Sequence, residues 1–246
     1  MPFSSLYEAI FQLMDPPEKA WVVDLGCRNA GVLCRSMEQF GSRIQKAVGV
    51  DARDTGFGEI PYGEPIELRV MDCAQPLDFP DNAFDLVYSK DMFECVTDKE
   101  ALVQEISRIL KPGGTVLCVN CDWDSVVYNG RDKDLIARAV HAYAVTKQGW
   151  MEDLDSWIGR RMFGIFNRSG LFDSSVSVHN VVETEYREGT AGFDFSRHIG
   201  WLAEEQTGAL TMEEYRTFLR DLEETYRDGT YLFSKPYYLY KGTKKG

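Results

Sequence analysis

Apolar residues recur along this chain in two rhythms that alternate through its first half. Leu6, Ile10, Leu13 and Met14 fall at helical spacing behind Ser5-Leu6-Tyr7-Glu8, which has the form of a capping box. Asp15-Pro16-Pro17 closes that first helix, because proline disfavours helix at the residue before it. Short, continuous apolar runs then appear at 20–26, 47–51, 66–71, 84–89 and 115–119. Runs of this length suit strands buried on both faces of a parallel sheet. Between them lie a helix over 32–40 with Gly41 as its stop and a Gly/Pro-rich loop over 55–65. A second helix runs from the capping box Thr97-Asp98-Lys99-Glu100 to Lys111-Pro112-Gly113-Gly114, with Leu102, Val103, Ile106, Ile109 and Leu110 as its apolar stripe.

Strands alternating with helices over 20–119 predict a parallel sheet with helices on both faces. Right-handed crossovers bring the strand ends to one edge, and that edge is where ligands bind. The second half reads differently. Helices are expected over 131–147, 158–167 and 211–226, and strands over 175–183 and 231–240, with Pro236 marking an edge or a bulge. The division is therefore a first helix over 1–19, a core over 20–120, and a cap with the remaining strands over 121–246.

Charge narrows the partners. The chain has 246 residues and a formal net charge of −12. Such a field repels phosphate backbones and anionic membranes at long range, so neither nucleic acid nor membrane is expected as a partner. A neutral or cationic small molecule fits better, and a homodimer is left open. The first 20 residues lack a basic leader, and no apolar run approaches the ~20 residues that a spanning helix needs. A cytoplasmic location is expected. Of six cysteines, five sit in or beside apolar runs, and Cys118-Val119-Asn120-Cys121 has no second pair at zinc spacing. Buried structural thiols are expected, and no metal site.

The chemistry is expected at the strand ends. The first carries Asp24-Leu25-Gly26-Cys27-Arg28-Asn29-Ala30-Gly31, the second Asp51, the third Asp72-Cys73 and the fourth Ser89-Lys90-Asp91. Small residues after the first strand let a ligand approach the backbone. Acids after the second and third can accept hydrogen bonds from ribose hydroxyls and from an adenine amino group. A dinucleotide-binding oxidoreductase is disfavoured, since its G-x-G-x-x-G is absent.

The stretches VVDLGCRNAG (22–31), GVD (49–51), MDCAQPLDFPDNAFDLVYS (71–89) and ISRILKPGGTV (106–116) resemble the motif series of class I S-adenosylmethionine-dependent methyltransferases. They are most similar to the branch of ubiquinone/menaquinone-biosynthesis and small-molecule N- and O-methyltransferases. The resemblance implies a Rossmann-like, doubly wound, mainly parallel seven-stranded sheet with helical cap insertions in the C-terminal half. It implies S-adenosylmethionine as cofactor. Gly26 would pass beneath its methionine part, Asp24 would lie near the amino group, and Ser89 would lie under the methionine moiety. Asp51 would take the ribose hydroxyls, with Ala52 beside the adenine, Asp72 on its amino group and the Cys73 backbone against the ring. There is one departure. Arg28 and Ala30 stand where the family's D-x-G-x-G-x-G has glycine, so either the loop takes another path or Arg28 pairs with the cofactor carboxylate.

Positioning the acceptor for in-line displacement is the main task of such a protein, and a hydroxyl acceptor also benefits from a base. Asp91, Glu94, Asp122, Asp124, His141 and His198 are the candidates near the strand edge and cap. Asp122 and His141 are the preferred catalytic pair, with Asp91 and Trp123 binding substrate. Aromatic residues concentrate in the second half, where 20 of 31 lie from Cys121 onward. That enrichment suggests an aromatic pocket wall able to hold a flat ring or a cation, and it leans towards an amine acceptor. C-methylation of a quinone and a non-catalytic cofactor-binding protein are the alternatives.

Overall fold

The computed structural model describes residues 4–54, 56–57 and 66–246. Most of the 55–65 loop lies outside the described residues. In chain order the elements are α1 (Ser4–Met14), β1 (Ala20–Leu25), α2 (Gly31–Phe40), β2 (Ile44–Asp51), β3 (Ile66–Val70), β4 (Phe84–Lys90), α3 (Lys99–Ile109) and β5 (Leu110–Cys121). Then come β6 (Val127–Tyr128), α4 (Lys133–Val145), α5 (Ile158–Ser169), β7 (Phe172–Glu183), α6 (Ala191–Ile199), α7 (Trp201–Glu204), α8 (Met212–Arg227) and β8 (Phe233–Lys244).

The strands form one sheet in the order β3-β2-β1-β4-β5-β8, with β7 pairing along the full length of β8. Pairs within β1 to β5 are parallel, and β8 is antiparallel to both β5 and β7. Seven strands of five to twelve residues match the expected count, and the two-residue β6 adds an eighth at the start of β8. The order reverses beside β1, so the crevice between β1 and β4 at their carboxyl ends is the topological switch point.

Two apolar clusters cover the sheet. One face packs Leu6, Ile10 and Met14 of α1, Leu33 of α2 and Phe195 of α6 over Val22, Leu86, Tyr88 and Val119. The other packs Leu102, Val103 and Ile106 of α3 and Met162 and Phe166 of α5 over Val23, Val87, Val116 and Cys118. The helices hold their ends by local bonds: Asp98, not Thr97, caps α3 by accepting from Ala101 N, and Thr211 with Glu214 forms a full capping box on α8.

Pro236 lies within β8, opposite Asn180 of β7. Its carbonyl accepts from Asp122 N, so its nitrogen faces the β5 side, where pairing ends at Cys121 and Tyr237. The missing N–H therefore costs no bond to β7. Cys118 and Cys121 sit in opposite clusters, on opposite faces of the sheet, and cannot form a disulfide with each other. All six cysteines are free.

Candidate active site

The first loop is left-handed at three alternate positions. Gly26, Arg28 and Ala30 all adopt left-handed backbone, with φ of 76°, 50° and 54°. These are the three positions at which glycine would relieve the conformation. At Gly26 a Cβ would come within 2.6 Å of Met92 Cγ, so side chains from beyond β4 close the cradle from below. Asp51, at the end of β2, accepts from Arg28 N (2.8 Å) and Arg53 N (3.2 Å). A carboxylate has about four acceptor sites, so each Asp51 oxygen retains capacity for a further donor.

Asp24 is buried, and its pKa is pushed up to about 7 by burial, then by the Asp51 charge, against the pull of Lys90. The Cys73 thiol touches the Gly26 backbone, and burial with Asp72, Asp51 and Asp24 nearby pushes it up to about 12. Asp72 is exposed and forms a turn through Ala74 N (2.9 Å). Ala52 is exposed beside Asp51. Ser89 is fully buried between β1 and β5, and its Oγ has no hydrogen-bond partner among the described residues. The structure thus brings Asp24, Gly26, Arg28, Asp51 and Cys73 around one loop, with Ser89 one strand over.

Beyond β4 the chain turns sharply at Asp91 (φ 49°). Asp91 accepts from Cys121 N (3.0 Å) and from the Lys90 ammonium. Lys90 and Lys235 hold its carboxyl below the usual range despite burial. Glu94 is buried beside Asn120 and Trp123 and accepts from Asn120 Nδ2. Burial, then the Asp91 charge, pushes its pKa up to about 8, so at neutral pH it is a protonated donor rather than a base.

The expected pair Asp122 and His141 is not brought together. Asp122 is fully buried and gripped by Arg160 of α5, with Nε 2.5 Å from Oδ2, and by Ser125 Oγ at 2.8 Å. His141 sits on an outer groove, its side chain 66% exposed, with Nδ1 3.2 Å from Asp124 Oδ1. Two residues along α4, Tyr143 points inward against Trp123 and Phe195, with centroids 5.7 and 4.9 Å away. Residues two apart on a helix face nearly opposite ways, which separates His141 from that wall.

Trp123 stands in an aromatic cluster with Tyr143 and Phe195, and a cation of this chain packs against it. Lys235 Nζ lies 4.0 Å from the Trp123 centroid, 5.1 Å from Tyr237 and 5.5 Å from Phe195. Sequence reasoning missed this residue, although a signal was present. Phe233, Lys235, Tyr237 and Leu239 alternate in one strand, so a lysine shares the inward side with three apolar residues. His198 of α6 completes the rim. Burial, then Lys235 and Arg28, hold its pKa below the ordinary value against Asp194.

Comparison with known proteins bears on the fold that carries these residues. Residues 23–118 match the model of a methyltransferase domain family. The chain is thus similar to methyltransferases over the stretch that forms β1 to β5. It is 38% identical over 93 residues to phosphatidylethanolamine N-methyltransferase of Cereibacter sphaeroides, a stretch covering 37% of this chain and 42% of the relative. It is 28% identical over 136 residues to the ubiquinone/menaquinone biosynthesis C-methyltransferase UbiE of Stenotrophomonas maltophilia, covering 48% and 54%. The chain therefore spans about half the length, or less, of these relatives. The fold likeness is wider: a putative methyltransferase from Bacillus halodurans superposes with a TM-score of 0.59 at 17% identity over 99% of this chain and 100% of that one. The family stretch ends at Cys118, so the methyltransferase core and the aromatic cluster come from different parts of the chain. Among the described residues no helix is long and apolar enough to cross a membrane, and no group of His, Cys, Asp and Glu is arranged to hold a metal.

Proposed function

We propose that the chain transfers a methyl group from S-adenosylmethionine to a nitrogen or oxygen of a small-molecule acceptor in the cytoplasm. The observation that carries this reading is the backbone at Arg28 and Ala30. Left-handed conformations are unfavourable by roughly 1–2 kcal/mol per non-glycine residue, and the chain holds two of them side by side with Gly26. Strain of this kind clusters where a ligand needs the backbone path. The buried, unpartnered Ser89 Oγ and the spare acceptor capacity of Asp51 support the same ligand.

When bound, S-adenosylmethionine supplies a methyl on a sulfonium, already activated for displacement. Asp24 suits the ammonium of the methionine part, since a cation beside it favours the ionised carboxylate. Asp51 suits the ribose hydroxyls, and Asp72 with the Cys73 backbone suits the adenine. Trp123, Tyr143, Phe195 and Tyr237 shape the acceptor's pocket and keep water from it. Glu94, protonated, can donate a hydrogen bond to the acceptor. In this reading Asp122 holds the wall through Arg160, and His141 with Asp124 serves the outer groove. The free thiols and the net charge of −12 support a reducing compartment and disfavour nucleic acid.

Calorimetric titration with S-adenosylhomocysteine tests the reading. Saturable binding is expected, weakened at least tenfold in Asp51→Asn with the circular dichroism spectrum retained. No heat of binding at millimolar ligand would sink it. Transfer of labelled methyl to a panel of amines, phenols and quinones then separates N-, O- and C-methylation.

A further inference from the structure

The aromatic cluster beside the methyltransferase core is built around a lysine of this chain, and that bears on what the acceptor carries. Lys235 is only 6% exposed. Its ammonium faces Trp123, Tyr237 and Phe195, and among the described residues it makes no hydrogen bond. Aromatic faces stabilise its charge, but they offer no lone pair to its three N–H donors. A largely enclosed ammonium whose neighbours are rings keeps its hydrogen-bonding capacity for an acceptor that reaches it.

The neighbouring acids do not supply one. Asp91 accepts from Cys121 N and from Lys90, and no hydrogen bond joins it to Lys235. Glu94 accepts from Asn120 Nδ2 and makes no hydrogen bond to Lys235. Past Lys235 towards the first loop stand His198 and Arg28, near enough that both Lys235 and Arg28 disfavour the charged form of His198. Lys235, Lys90 and Arg28 thus gather here with Asp91, Asp194 and Asp51, and none of these acids hydrogen-bonds to Lys235.

We propose that Lys235 is an anion-recognition residue and that the methyl acceptor carries a carboxylate or phosphate group, which takes the Lys235 ammonium's free hydrogen bonds beside Arg28 and His198. The proposal rests on the methyltransferase reading for the identity of the pocket. It reverses the lean that aromatic richness gave towards a cationic acceptor. The rings already hold a cation, and a second one would meet Lys235 at close range in a poorly screened site. Trp123, Tyr237 and Phe195 fix the lysine, and the anion binds to it.

Binding of small probes tests this without a known acceptor. Inorganic phosphate, acetate and tetramethylammonium are titrated calorimetrically into the protein, both alone and saturated with S-adenosylhomocysteine. Phosphate or acetate is expected to bind, whichever is tighter naming the group, and tetramethylammonium is not. Lys235→Met should weaken the anion at least tenfold, and Lys235→Arg should stay within threefold of wild type. Tetramethylammonium binding as tightly as the anions, or an unchanged anion affinity in Lys235→Met, would overturn the proposal. Should Lys235→Met fail to fold, acetylation of Lys235 in the wild-type protein decides. Phosphate or acetate should slow its labelling by acetic anhydride at least tenfold, and no protection counts against the idea. Failure of S-adenosylhomocysteine to bind would remove the methyltransferase reading, while the titrations without cofactor still test Lys235.

Discussion

Asp24 and Glu94 are two carboxyls whose pKa values the fold raises towards and past neutrality. Burial is the main cause for both, followed by Asp51 for the first and Asp91 for the second. Their ordinary values are 3.8 and 4.5, and their folded values are about 7 and about 8. Between these limits the native state binds more protons than the unfolded chain, so stability falls as pH rises through the window. Below about pH 4 neither group contributes to the slope, and above about 8 the loss is complete. Asp91 is shifted the opposite way, by Lys90 and Lys235, so its contribution is present above its ordinary 3.8 and is lost only at lower pH. The urea midpoint of the protein is therefore expected to fall from pH 5 to pH 8. Glu94→Gln should flatten that slope and be more stable than wild type at pH 8. A midpoint that rises over this range in wild type, or an unchanged slope in the variant, would count against the protonated Glu94.

At the scale of elements, the end of β5 is fastened to α5 by Asp122 and Arg160. Asp122 is buried and Arg160 is 38% exposed, so the two partners are not equivalent. Removing the arginine leaves a buried carboxylate with Ser125 as its remaining side-chain donor, which is expected to cost about 3 kcal/mol. Removing both charges together, in Asp122→Asn with Arg160→Met, should recover most of that loss. Urea melts of the two single variants and the double variant measure the coupling, and additive losses would refute it. The same contact shows what the sequence could and could not disclose. Strands ending in Asp24, Asp51 and Ser89 were legible, because a strand buried on both faces writes itself as a continuous apolar run. The pairing of Asp122 with Arg160 joins residues 38 positions apart, and no local periodicity encodes it. Helix α6 was not foreseen either. It brings Phe195 to the pocket and His198 to the rim, and with nine residues its apolar period is short. Lys235 was visible as an anomaly in the alternation of β8, but its partners Trp123 and Phe195 come from distant turns and helices, so its role could be read only once the sheet had assembled.

Over the whole molecule, a net charge of −12 acts on ligands before any of these contacts form. S-adenosylmethionine carries one net positive charge, and S-adenosylhomocysteine, having lost the methyl from a sulfonium, carries none. The acidic field should draw in the first and leave the second almost unaffected. Within a Debye length of ~8–10 Å at moderate salt the local groups take over, and there Lys235, with no hydrogen-bonded carboxylate of its own, opposes the average. Long-range attraction and local selection thus have opposite signs, the outer one suited to the cationic donor and the inner one to an anionic acceptor. Stopped-flow association, followed by tryptophan fluorescence at 20 and 200 mM salt in order-of-magnitude steps, separates the two. The association rate of S-adenosylmethionine should fall several-fold as salt screens the field, as steered encounters do. That of S-adenosylhomocysteine should change by less than about twofold, because no net charge couples it to the same field. An equal fall for both ligands would show that the encounter is governed by the local carboxylates around Asp24 and Asp51 rather than by the charge of the molecule as a whole.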